Sequence, residues 1–169
     1  MTPSTAIITA ILLPLAGSPI IALLGRRPNL RELATLGTGV ATFVIVVSLV
    51  PPVLAGFRPS VELIEVLPGL SLGFKIEPLG MLFGLVASGL WIITSLYSIG
   101  YMRGHHEENQ TRFYAFFAIA ISAALGVAFA GNMLTLFVFY EVLTLSTYPL
   151  VTHHRSDEAR MGGRIYLGI

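Results

Sequence analysis

The sequence predicts an all-α polytopic membrane protein with five transmembrane helices, the start of a sixth and a short extracytoplasmic β-hairpin-like loop. Three observations carry that prediction. Charged residues make up 11% of the 169-residue chain and hydrophobic residues 54%, whereas a soluble domain has about 25% charged residues. Mean hydropathy is +0.80. The apolar residues fall in runs of about 20, long enough to cross a hydrocarbon core of ~30 Å, and most charges fall between the runs.

Thr5 to Leu24 is the first run, with Pro14 and Pro19 placed to bend it. Met1 to Ser4 has no Lys or Arg, so the basic start of a signal peptide is missing. Gly25 and the charged link 26-RRPNLRE-32 end the run. Leu33 to Leu54 is the second run, rich in Val, Ile and Gly, with Pro51 and Pro52 weakening its end. The third covers about Leu79 to Ile99. The fourth, about Phe113 to Ala130, is rich in Ala, Ser and Gly, which suits close helix packing. Gly131 and Asn132 form a short turn before the fifth run, Met133 to Val151, and a sixth begins near Met161.

Between the second and third runs, Val61 to Leu67 and Leu70 to Ile76 flank Pro68-Gly69. In the latter, Leu72, Phe74 and Ile76 alternate with Ser71, Gly73 and Lys75, the period of a strand. Residues 1–169 thus read as a single membrane domain, with 56–77 as a loop or hairpin outside the bilayer.

Arginine and lysine counts set the expected orientation. Arg26, Arg27 and Arg31, then Arg103 and Arg112, then Arg155, Arg160 and Arg164 fall in alternate links; the opposite side holds Arg58 and Lys75. The richer side is expected to be cytoplasmic, with the N-terminus extracytoplasmic.

Composition also excludes classes. There is no cysteine, so no disulfide or iron–sulfur ligation. The histidines form two adjacent pairs, His105–His106 and His153–His154, without metal-ligand spacing. No basic patch is interleaved with aromatics for nucleic acid, and no nucleotide-binding glycine pattern or nucleophile elbow is present. The expectation is no cofactor, no metal and no catalytic residue.

Glu141 stands apart from the other acids, which fall in links or at run borders. It lies in 137-FVFYEVLTLSTYPLV-151, eight residues after Met133, or roughly 12 Å along a helix. That is near the middle of the hydrocarbon core. Burial raises a carboxyl pKa and a nearby cation lowers it; a group between these effects exchanges protons readily, as a transport relay requires. Thr144 and Tyr148 lie at i+3 and i+7 on the same face and are candidate partners in a proton or ion path. Pro149 cannot donate to the Leu145 carbonyl, which favours a kink. His153 and His154 are candidates for collecting protons at the cytoplasmic mouth. The alternative is a protonated Glu141 that clamps two helices in a structural subunit with no ion path. No basic residue falls inside the five runs, so the partner of Glu141 is expected on a segment beyond them or on another subunit, and the chain is expected to be part of a larger machine.

The run 131-GNMLTLFVFYEVLTLSTYPLV-151 resembles the fifth transmembrane helix of the antiporter-like proton-translocating subunits. These occur in respiratory complex I, in Mrp-type cation/proton antiporters and in membrane-bound hydrogenases. The runs 96-LYSIGYM-102, 112-RFYAFF-117 and 76-IEPLGMLF-83 are similar to other junctions of the same family, although many relatives have Asp-Pro where this chain has Glu77-Pro78. The likeness covers about Pro14 to Ile169, the N-terminal portion of such a subunit. It implies that Glu141 is the glutamate of the first half-channel, working with a lysine on a later helix. It implies a place in the bacterial inner (cell) membrane, in a multisubunit antiporter or a complex I-like NADH-quinone oxidoreductase. The implied partners are other membrane subunits, lipid, protons and Na+, and not nucleic acid.

Overall fold

The structure, a computed structural model, describes residues 1–105 and 109–152. Six helices and one hairpin follow in order: α1 Pro3–Leu23, α2 Pro28–Ser48, α3 Val50–Leu54, β1 Ser60–Leu67, β2 Leu70–Lys75, α4 Pro78–Gly104, α5 Gln110–Ala128 and α6 Met133–Val151. Five helical segments are long and apolar enough to cross a membrane: 3–26, 28–54, 78–104, 110–128 and 133–151. The expected all-α architecture with a small antiparallel hairpin is therefore observed; the expected sixth helix near Met161 lies outside the described residues.

The helix ends differ from the apolar runs, for a reason local to each. α2 begins at Pro28, five residues before the run, because a proline in the first turn gives up only an N–H that has no helical partner. α4 runs on to Gly104 and α5 starts at Gln110. The end turns of these helices therefore take in Arg31, Glu32, Arg103 and Arg112. This corrects the expectation that no basic residue, and no acid but Glu141, would lie within a spanning helix. The second run breaks at Leu49, and Pro51 and Pro52 enter the first turn of α3 instead of ending one long helix. α1 stays helical through both Pro14 and Pro19, and the Ser122 hydroxyl of α5 donates to its Ile11 carbonyl at 2.7 Å.

α1 packs on α2 and α5, α2 on α4, α4 on α5, and α5 on α6. Small residues let α5 sit at the centre: Ala118, Ala120, Ser122, Ala123 and Gly126 are all buried. Half of its apolar window is covered by the rest of the chain, against 11% for α6. At Gly126 the backbone approaches the Phe139 ring of α6 so closely that a Cβ would enter it. That ring cannot retreat freely, because Phe74 of β2 meets it edge-on at 5.3 Å.

The hairpin closes one end of the bundle. Ser60 pairs with Lys75 and Leu67 with Leu70, with two irregularities along β1. Gly69 takes the turn at φ +81°, a conformation that a side chain disfavours, and its N–H donates to a Glu65 carboxylate oxygen at 2.8 Å. β2 then grips the α5–α6 turn. The Lys75 N–H donates to the Phe129 carbonyl at 2.8 Å, and the Gly131 N–H to the Gly73 carbonyl at 2.9 Å. Glu77, just before α4, bridges Lys75 at 2.8 Å and Arg58 at 3.1 Å.

The opposite end is held by ions. Arg103 of α4 grips Glu32 of α2 with two bonds, Nε to Oε1 at 3.0 Å and Nη2 to Oε2 at 2.6 Å, and also donates to Asn29 Oδ1 at 2.6 Å. Arg31 reaches the same carboxylate at 3.3 Å, then Gln110 at 2.9 Å and Thr111 at 3.1 Å on α5. Its guanidinium lies 5.1 Å from the Tyr114 ring centroid. Arg31 and Glu32 are only 4% and 6% exposed, so one carboxylate compensates a buried cation and ties three helices together.

Three outcomes follow for purified protein. Gly126→Ala should lower stability by about 1–3 kcal/mol, the cost of overpacking a tight contact, read by thermal unfolding in detergent. Glu32→Ala should cost about 3–5 kcal/mol by leaving Arg31 buried without a counter-charge, and adding Arg31→Met should recover part of the loss. Lys75, and then Arg58, hold the Glu77 carboxyl below the usual carboxylate range. Its stabilisation is therefore complete above the ordinary carboxylate value and is lost as pH falls through the lowered one. Amide protection at the β2–α4 junction should fall from about pH 6 to about pH 3, and Glu77→Gln should flatten that dependence.

Candidate functional site

The helix that carries Glu141 starts from a bonded knot. Asn132 caps α6, its Oδ1 accepting from the Thr135 N–H and hydroxyl, each at 2.9 Å, while its Nδ2 donates to the Ser71 carbonyl. The buried Thr135 Oγ1 accepts from the Gly73 N–H at 2.9 Å. A cap contributes about 1 kcal/mol, and here it also fixes the helix to β2. With Thr135 held and Phe139 wedged between Gly126 and Phe74, the rotation of α6 about its axis is set.

That rotation turns Glu141 outward. Thr135 and Ser146 are the buried positions of α6, while Phe137, Tyr140, Glu141 and Leu145 are exposed together. Glu141 makes no hydrogen bond or ion pair among the described residues. It lies at membrane depth by its place in the helix, yet on a face that the rest of this chain leaves uncovered.

Thr144 and Tyr148 are partly buried on the following turns. The Thr144 hydroxyl donates to the Tyr140 carbonyl at 3.0 Å, and Ser146 and Thr147 likewise turn back to carbonyls of their own helix. The three stripe residues therefore share one side of α6 without a bond between them. Pro149 lies within the last turn of α6, and the helix continues to Val151. His153 and His154 fall outside the described residues.

The Arg31–Glu32–Arg103 cluster is the feature that reading the sequence missed. Its partners are 71 to 80 residues apart, beyond any local pattern. The one available signal was that two arginine-bearing links alternate to the same end of the bundle, where an acid adjoins one of them.

The fold and the sequence both have known counterparts. Residues 68–114 match the family model described as the N-terminus of chain 5 of NADH-ubiquinone oxidoreductase (complex I). Over 158 residues the chain is 28% identical to Na(+)/H(+) antiporter subunit A1 of Staphylococcus aureus, covering 91% of this chain and 19% of that protein. The same subunit from strains JH9 and Newman gives the same figures. The chain thus spans about a fifth of the length of these relatives. Among solved structures, a chain of the membrane-bound sulfane sulfur reductase, an archaeal respiratory membrane complex, superposes with a TM-score of 0.70. It is 20% identical, over 84% of this chain and 22% of the other, a likeness of fold. By these matches the chain groups with the antiporter-type membrane subunits of the Mrp and complex I-like family, over their N-terminal portion.

Proposed function

We propose that the chain is part of a proton or monovalent cation/proton translocating subunit of a multisubunit membrane complex, with Glu141 in the ion path. The observation that carries this reading is a carboxyl near the middle of a spanning helix, on a face with no partner among the described residues. A charge at that depth is costly, so a helix that presents one outward is built for a partner segment or for water. A segment bearing a cation would hold the carboxylate ionised, and a change in that cation's position or charge would alter its proton affinity. Thr144 and Tyr148, one and two turns further on, are the groups on this helix through which a proton or hydrated ion would continue. His153 and His154 would collect protons at the mouth.

The likeness to antiporter subunit A1 supports exchange of a cation for protons, and the match to complex I chain 5 supports the related reading of a pumping subunit in an NADH-quinone oxidoreductase. The partners are other membrane subunits and lipid. The arginine cluster gathers two of the basic links at one end of the bundle, which supports that end as cytoplasmic and the N-terminus as extracytoplasmic in a bacterial cell membrane.

Glu141→Gln in the full-length subunit, within its native complex, tests the reading. Cation-driven proton movement in membrane vesicles should fall about 10²-fold, the scale of a lost proton-transfer group, while the complex assembles normally on a native gel. Normal flux in a normally assembled complex would leave Glu141 a structural residue.

A further inference from the structure

Away from Glu141, a second polar region runs inside the bundle. α2 buries Arg31, Glu32, Thr35 and Thr42, and α4 buries Ser88, Trp91, Ser95 and Ser98. These two helices pack on each other, and Gly39 of α2 presents bare backbone to the Trp91 ring. Several of the hydroxyls are satisfied within their own helix: Thr35 donates to the Arg31 carbonyl, Thr42 to that of Thr38 and Ser88 to that of Gly84. Each keeps open lone pairs after doing so.

Four buried atoms here have no protein partner: Trp91 Nε1, Ser95 Oγ, Tyr114 Oη and Arg31 Nε. Trp91, Ser95 and Tyr114 are 1%, 1% and 0% exposed. An unpaired buried donor or acceptor carries its full desolvation penalty, and native interiors hold few of them. Trp91 and Ser95 stand one turn apart on the same side of α4. Tyr114 lies under the Arg31 guanidinium. The four atoms therefore form two stations beneath the Arg31–Glu32–Arg103 ion pairs, in a wall already lined with hydroxyls.

We propose that these two stations bind ordered water, one at Trp91 Nε1 and Ser95 Oγ and one at Tyr114 Oη and Arg31 Nε, making a hydrated site inside the α2–α4–α5 wall that is separate from the Glu141 helix. The donor set selects the ligand. Trp91 Nε1 and Arg31 Nε can only donate, which repels a metal cation; Ser95 and Tyr114 donate and accept. Water alone among small ligands satisfies both kinds of group, and a buried water typically makes about three such bonds.

Radiolytic hydroxyl-radical footprinting of the full-length subunit in its native complex tests this, because radicals formed in bound water label adjacent buried side chains. The equally buried Phe129, in an apolar setting, is the internal control. Corrected for intrinsic reactivity, Trp91 and Tyr114 should each label several-fold faster than Phe129. Ser95→Ala should bring Trp91 down toward the Phe129 rate and leave Tyr114 unchanged. The proposal is overturned if either aromatic labels no faster than Phe129, or if Trp91 labels as before in Ser95→Ala, which would assign its labelling to transient opening instead of held water.

Discussion

The bond on which most of the structure leans is the grip of Arg103 on Glu32. In hydrocarbon no water is present to solvate a loose polar group, so every charge near the core needs a fixed partner. Glu32 has two arginines, and through Arg31 it reaches Gln110 and Thr111. One carboxylate thereby joins α2, α4 and α5 at a single end. The apolar contacts along these helices would permit sliding or rotation, since lipid tails are as apolar as the side chains they replace. The ion pairs remove that freedom, and the packing of α1 and α5 follows from it.

The other end is ordered by a different interaction. There the hairpin uses backbone hydrogen bonds to hold the turn between α5 and α6, and the Asn132–Thr135 pair bonds to Ser71 and Gly73. The device is directional, so it sets angle as well as position. Phe139, wedged against bare backbone at Gly126 and against the edge of Phe74, fixes the rotation of α6. The face on which Glu141 stands is thus decided by residues 2 to 15 positions away from it on α6 and on the adjoining turn, and by β2.

These two ends divide the chain by task. The α1–α2–α4–α5 portion is enclosed and internally satisfied, apart from the few buried groups assigned here to water. α6 is attached along one side and open along the other. An acid on the enclosed portion is neutralised by its own chain, as Glu32 is. An acid on the open portion must be neutralised by something added, which is why Glu141 and not Glu32 carries the transport reading.

The number of spanning helices, the hairpin and the depth of Glu141 were legible in the sequence because each rests on a one-dimensional quantity. Run length sets a span, a period of two sets a strand, and rise per residue sets depth. Pro68-Gly69 marked the hairpin turn for the same local reason. Helix ends were not legible: Pro28 can start α2 inside a charged link, and Arg103 stays helical because a carboxylate 71 residues away receives it. The outward face of Glu141 was equally hidden, because which side of an almost uniformly apolar helix packs inward leaves no periodic trace. The sequence by itself determined how many times this chain can cross a membrane and where its one mid-span carboxyl lies. Only the tertiary structure decided which charges are neutralised within the chain and which one faces outward, because that depends on helix rotation, and rotation is set by contacts between residues far apart in sequence.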